Sequence, residues 1–302
     1  MSLRRNHHTS ERKSGSFVGR LFIIAIILLM ALFYLFKNKE KILAFFSQSD
    51  DIDNSLLTAP DRTYIPSHTG QLIHKTNYSL SYDYQNKTAQ WVAYHLTKQN
   101  LQQRDLHYRF DFKKDPEVER GATEYYDYSG SGYTRGHLVP AADMSFDELA
   151  LEETFFMSNI IPQKKENNVG IWQELEKQTR NWTFKYHDVY IVSGPVYAKN
   201  AKTKTIQKAN IAIPDSLFKV VLVYNDKKMA SIGFIIPNEL SSEHLSKYAV
   251  TVDRIEAATG LDLFNYMLEN EVEERLESSL DVNLFPINEK LFQQRINKWN
   301  LQ

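Results

Sequence analysis

Tyr133-Thr-Arg-Gly-His-Leu-Val-Pro-Ala-Ala-Asp-Met144 gathers residue types that could do hydrolytic chemistry into one short stretch. Neutral imidazole at His137 can take a proton from water near pH 7. Arg135 offers a planar five-donor fork suited to phosphate oxygens. Gly136 between them lets backbone approach a ligand closely. The stretch shows neither period 2 nor period 3.6, as expected of chain bent to present Arg135 and His137 at one point. About thirty residues on comes Asn167-Asn-Val-Gly-Ile-Trp-Gln-Glu-Leu-Glu-Lys-Gln-Thr-Arg180. Asn168, Trp172, Glu176 and Arg180 recur every fourth position. Each step of four turns only ~40° about a helix axis, so they predict one slanting stripe. That stripe carries an amide oxygen, a carboxylate and a guanidinium. A hard cation such as Mg²⁺ suits it better than zinc, since such an ion keeps several waters and needs only one or two protein oxygens. Asn168 would be the direct ligand and Glu176 would hold a water of the ion's shell. With His137 activating the attacking water and an arginine offsetting charge on phosphorus, the chemistry is one-metal phosphodiester hydrolysis.

Other readings weigh against this one. Glu176 and Arg180 could form an ordinary i,i+4 ion pair on a solvated face, worth only a few tenths of a kcal/mol. Gly130-Ser-Gly132 with Gly136 resembles a dinucleotide fingerprint. It lacks the preceding apolar strand, and Pro140 interrupts the stretch where the helix should begin. There is no Walker loop, HExxH motif or GxSxG elbow. With no cysteine in the chain, a disulfide framework and thiolate ligands are both excluded, so any metal must use nitrogen and oxygen.

The elements that must position these residues read as mixed α and β. Trp91-Val-Ala-Tyr-His-Leu-Thr97 predicts a strand, with His95 a packed or hydrogen-bonded member rather than a ligand. Tyr108-Arg-Phe-Asp-Phe112 alternates like a strand and stops at Asp115-Pro116. Residues 118–131 read as loop, and Ser158-Asn-Ile-Ile-Pro-Gln163 as a turn region ending in proline. Further strands are expected at 187–196 (ending at Gly194-Pro195), 211–213, 218–224 and 230–237. A helix is expected over 250–260, with Val252, Ile255 and Ala258 on one face and Gly260 as its stop. Residues 199–208 form a loop with four lysines, and 269–277 are strongly acidic.

A hydrophobic content of 42% with 13% aromatics supports a real core in a chain of 302 residues. The formal charge of −1 counts mildly against binding nucleic acid by charge alone. Residues 1–20 are a basic polar tail, and 21–36 an unbroken apolar run expected to span a bilayer as one uncleaved helix. A linker comes next over 37–75, then the main domain over 76–279 and a tail over 280–302 that could dock. More positive charge before the run than after it predicts a cytoplasmic N-terminus and an extracytoplasmic domain, on the periplasmic side of a bacterium.

The motifs resemble the DNA/RNA non-specific endonuclease family, whose site is of the ββα-metal type and which includes endonuclease G. The family's Asp-Arg-Gly-His signature is matched by Thr134-Arg135-Gly136-His137, and its Asn-x-Gly-x-Trp-x-x-Leu-Glu segment by Asn168 to Glu176, with Arg180 at family spacing. Met157 to Gln163, Trp91 to His95 and Val192 to Val196 are similar to further family segments. The resemblance implies an α+β ββα-metal fold with a central, mostly antiparallel sheet flanked by helices. It implies His137 as general base, Asn168 as metal ligand, Glu176 and Arg180 as groups that support the metal's waters and the phosphate, Arg135 beside the base, Arg109 as the upstream phosphate-binding arginine and Asn159 in support. Mg²⁺ is the expected ion, with Mn²⁺ as an alternative. DNA is the expected substrate, RNA a second one, and a homodimer is compatible. Thr134 stands where the signature has aspartate. That departure motivates the alternative of a weak or inactive nuclease fold serving as a membrane-anchored nucleic-acid or protein-binding module.

Overall fold

A computed structural model describes residues 63–300, apart from 104–105, 107–108, 199–202 and 226. The basic tail, the apolar run 21–36, linker residues 37–62, Tyr108, Lys199 and Lys202 lie outside the described residues. Among the described residues no helix is long and apolar enough to cross a membrane.

The strands are β1 (Gln71–His74), β2 (Ser79–Asp83), β3 (Thr88–Thr97), β4 (Thr134–His137), β5 (Ile160–Gln163), β6 (Asp188–Val196), β7 (Thr205–Ile206), β8 (Ile211–Ala212), β9 (Ser216–Asn225), β10 (Lys228–Pro237) and β11 (Ala249–Val250). The α-helices of five residues or more are α1 (Lys98–Gln102), α2 (Glu148–Glu153), α3 (Gln173–Tyr186), α4 (Val252–Thr259), α5 (Asn270–Ser278) and α6 (Glu289–Asn300). Seven strands form one sheet in the order β1-β2-β3-β6-β9-β10-β11, with every neighbouring pair antiparallel. The expected α+β class with a central antiparallel sheet is what the chain adopts.

Side chains alternate across a strand, so each strand feeds two layers. On β3, Val92, Tyr94 and Leu96 enter one core, and Trp91 and Ala93 the other. On β9, Leu217, Val221 and Val223 join the first, while Phe218, Val220 and Leu222 join the second. Trp172, Leu175 and Trp182 cover the first face. Val252, Ile255 and Leu276 of α4 and α5 cover the second. α4 ends at Gly260 in the left-handed conformation, the stop expected there.

Several local expectations change. Residues 109–112 are not a strand; their alternation turns Phe110 and Phe112 onto Phe155, with ring centroids 6.1 and 5.4 Å apart. Met157–Asn159 is a 3₁₀ turn, but Ile160–Gln163 is strand β5, pairing through Pro162 with Arg135. β6, Asp188–Val196, agrees with the strand expected over 187–196, and Gly194-Pro195 pairs within it. Residues 71–74, read as linker, form the edge strand β1. The C-terminal stretch packs back onto α3. Phe285 is fully buried, Trp182 Nε1 donates to the Pro286 carbonyl at 3.0 Å, and Arg295 Nε meets Glu174 Oε2 at 2.6 Å.

Candidate active site

β4 and β5 form a separate two-stranded ribbon in the register Thr134↔Gln163, Arg135↔Pro162, Gly136↔Ile161, His137↔Ile160. The stretch lacks visible periodicity because the strand is only four residues long. Gly136 is required by the buried Gln163, two positions along β5 from its own partner Ile161: a Cβ there would lie 1.8 Å from Gln163 Oε1 and 2.8 Å from its Cβ. Immediately after His137 the chain is clamped by Asn159. Its Oδ1 accepts from Val139 N at 2.9 Å, and its Nδ2 donates to the carbonyls of Val139 and Thr154 at 3.0 and 2.9 Å. The Val139 bonds tie Asn159 to the backbone that follows His137.

His137 is walled by Phe112 and Phe155, with centroids at 5.4 and 5.1 Å. Its Nε2 is buried and has no hydrogen-bond partner. Burial first, and then the Arg109 charge, lower its pKa from 6.5 to about 4, so the ring is neutral near pH 7. Arg109 also lies 5.6 Å from the Phe112 ring centroid, on the same aromatic group. Arg135 donates through Nε and Nη2 to the Tyr125 carbonyl at 3.0 and 2.5 Å and lies 5.5 Å from the Phe112 centroid. Arg109, Arg135 and His137 therefore share one corner.

The other end of β4 holds Asn168. Thr134 Oγ1 donates to the Gln163 carbonyl at 2.9 Å and accepts from Asn168 Nδ2 at 3.1 Å. Thus the threonine in the aspartate position fixes the amide nitrogen and leaves the Asn168 Oδ1 for another partner. The stripe predicted over 168–180 is not one regular helix. Asn168–Trp172 is a π turn, broken at Gly170 with φ −105 and ψ −114, and α3 begins only at Gln173. A π turn inserts an extra residue, so Asn168 swings off the line of Glu176 and Arg180.

The rival reading, an ordinary Glu176–Arg180 ion pair on a solvated face, does not hold either. Arg180 Nη1 meets the buried Asp143 Oδ1 at 2.6 Å, and Tyr94 Oη donates to Asp143 Oδ2 at 2.8 Å. Glu176 has no ion pair within 4.0 Å among the described residues. Burial raises its pKa to about 7, with Arg180 and Lys219 opposing and Asp143 adding to the rise. Lys219 was not anticipated. It is fully buried on β9, donates to Ser193 Oγ at 2.6 Å, and lies 5.1 Å from the Trp172 ring centroid. Burial lowers its pKa to about 8, with Glu176 and Asp143 opposing. The one sequence signal for Lys219 is a lysine inside an otherwise apolar strand, SLFKVVLVYN; Asp143 carried none. His95 is a packed strand residue as expected, stacked on Tyr190 at 4.4 Å.

Among the described residues no hydrogen bond or ion pair joins the His137 corner to the Asn168–Glu176 side. The link is β4 itself, whose end residues are separated by three strand rises, roughly 10 Å. The donors present fit a hard divalent cation: an asparagine oxygen released by its amide's bond to Thr134, and a half-buried carboxylate that no ion pair within 4.0 Å neutralises.

Residues 61–270 match the family described as DNA/RNA non-specific endonuclease. The chain belongs to that family. By family it is an enzyme, a hydrolase of the endonuclease type, and the family depends on a divalent cation. The chain is 34% identical over 229 residues to the zebrafish (Danio rerio) protein "Nuclease EXOG, mitochondrial", a match covering 66% of this chain and 67% of that one. The mouse (Mus musculus) protein of that name is 35% identical over 204 residues, with 63% of this chain and 55% of that one covered. Human (Homo sapiens) "Endonuclease G, mitochondrial" is 32% identical over 204 residues, covering 63% and 68%. A chain of the solved EndoG/EndoGI complex superposes with a TM-score of 0.64 at 27% identity, covering 68% of this chain and 90% of that one.

Proposed function

We propose that the chain is a metal-dependent, sugar-nonspecific endonuclease that hydrolyses phosphodiester bonds of DNA, and of RNA as a second substrate. The observation that carries this reading is the buried, unpartnered Nε2 of a neutral histidine beside two arginines, on the strand whose other end fixes Asn168. Asn168 Oδ1 would hold Mg²⁺ or Mn²⁺, with Glu176 facing its waters, and a cation there would stabilise charge on the leaving oxygen. His137 Nε2 takes the proton of the attacking water. A base held at about 4 is weak, but an arriving phosphodiester brings negative charge that offsets Arg109 and raises the imidazole's pKa back toward its ordinary value, making it a stronger base. Arg135 and Arg109 bind phosphate oxygens at this corner, and Asp143 holds Arg180 in place beside Glu176. Since phosphate contacts carry no base information, cleavage is weakly sequence-dependent and strongly salt-sensitive. The apolar run 21–36 anchors the protein in a bilayer with the nuclease domain extracytoplasmic.

The test is plasmid cleavage in Mg²⁺ beside His137→Ala and Asn168→Ala. We expect each variant to lose ~10²–10⁴-fold in rate. No cleavage by the parent, or equal cleavage by parent and His137→Ala, would overturn the reading. Protease added to spheroplasts expressing the full chain should digest the domain; full protection would refute the orientation.

A further inference from the structure

The second face of the sheet carries a group of acids that the nuclease reading does not use. Asp253 and Glu256 lie three apart on α4, and Glu277 lies in the last turn of α5, which packs beside it. Each offers a carboxylate oxygen, and these oxygens all lie within 4.8 Å of one another. Acidic clusters are common on surfaces, and this one would mean little if all its members were solvated. Glu277 is not: it is 7% exposed, and its Oε1 is buried without a hydrogen-bond partner. In the same neighbourhood Glu273 Oε1 and Asn265 Oδ1 are also buried acceptors without a donor. Glu256 Oε1 accepts from Leu263 N at 2.7 Å, which orients its second oxygen. None of Asp253, Glu256, Asp262, Glu273 or Glu277 has an ion pair within 4.0 Å among the described residues.

A buried carboxylate in such company must gain either a proton or a cation. Burial first, then the charges of Glu256, Glu273, Asp253 and Asp262, raise the Glu277 pKa to about 9. Its place near a helix C-terminus, the negative end of the dipole, adds to the cost of its charge and favours a cation there. We propose that Asp253, Glu256 and Glu277 form a calcium-binding site that ties α4 to α5, separate from the candidate active site. Calcium takes about six to eight oxygens in flexible geometry at ~2.3–2.6 Å, which suits three carboxylate oxygens within 4.8 Å of one another better than magnesium, which demands near-ideal octahedral geometry and keeps most of its waters. Exposed Asp253 leaves room for waters to complete the shell. With three carboxylates in a partly open setting, a Kd on the order of 10⁻⁴ M is expected.

The test is thermal unfolding of the full chain with and without 10 mM CaCl₂ (about a hundredfold above that Kd), where a Tm rise of roughly 5 °C is expected. Asn168→Ala should keep the whole rise, since it removes only the proposed catalytic ligand. Glu277→Gln should abolish the rise while leaving Mg²⁺-dependent cleavage unchanged. Asp253→Asn, at an exposed position that does not threaten folding, should require at least tenfold more calcium for the same rise. Absence of a rise in the parent, its survival in both Glu277→Gln and Asp253→Asn, or its loss in Asn168→Ala would each overturn the site.

Discussion

The two ends of β4 hold their functional groups by different physics. At the His137 end, aromatic rings do the holding: Phe112 and Phe155 fix the imidazole and strip it of water, leaving Nε2 without a partner. At the Thr134 end, polar groups hold one another. Thr134 fixes Asn168, Asp143 fixes Arg180, and Lys219 lies buried near Glu176. Packing makes a histidine neutral and available; a network of mutually dependent charges places carboxylates and cations where no single one would be stable. Removing a group from the first end should cost chemistry, and from the second should cost folding as well.

His137→Ala is therefore expected to give the largest effect, the ~10²–10⁴-fold rate loss, with a Tm change of only a few degrees. A collapse of Tm would erase the contrast. Asp143→Ala comes next. It leaves the Arg180 charge unpaired and the Tyr94 hydroxyl without its acceptor, so urea unfolding should show a loss of ~3–5 kcal/mol. A loss below ~1 kcal/mol would show that the pair is not truly buried. Thr134→Val keeps shape but removes the hydroxyl that orients Asn168. We expect ~10–100-fold weaker metal activation, recovered at high Mg²⁺ and absent in Thr134→Ser. An unchanged Mg²⁺ titration would mean that the bond is incidental.

The two ends should also differ in the sign of their pH dependence. His137 is lowered from 6.5 to about 4, so the folded state binds fewer protons than the unfolded state between those values, and this group makes stability rise with pH across that window. Glu176 is raised from 4.5 to about 7, so the folded state binds more protons there, and this group makes stability fall as pH rises toward 7. Unfolding of metal-free protein in chelator, as differences between the parent and His137→Phe or Glu176→Gln, should give slopes of opposite sign. Slopes of the same sign would refute the assignment. The smallest effect is expected from exposed Lys204 and Lys208. Replacing both with alanine should reduce the salt slope of DNA binding by roughly 1–2. An unchanged slope would remove that loop from the phosphate-binding surface.

Much of the site was legible in the sequence because the informative residues carry their chemistry in their type. An arginine, a glycine and a histidine in a row, and Asn168, Glu176 and Arg180 at fixed spacing, point to the proposed reaction before any fold is known. β9, β10 and α4 were equally legible, since their apolar runs and the Gly260 stop are local signals. The strand at Ile160–Gln163 was hidden by Pro162, which suggests a turn but sits without penalty in a two-stranded ribbon where few ladder bonds are needed. The aromatic alternation at 109–112 pointed to a sheet because period 2 cannot say what lies opposite; here it is Phe155 and His137.

By itself, the sequence determined the family, the mixed α and β class, the absence of thiol chemistry, and which side chains could serve as base, ligand and phosphate clamp. Only the tertiary structure decided how they are held. It broke the 168–180 stripe with a π turn, gave Arg180 to Asp143 rather than to Glu176, buried Lys219 on the neighbouring strand, and set Thr134 against Asn168. The reason is that residue type and spacing encode what a side chain can do within its own element. Partners 34 and 37 residues away are chosen by how the sheet, ribbon and helix pack, which sequence spacing within one segment does not encode.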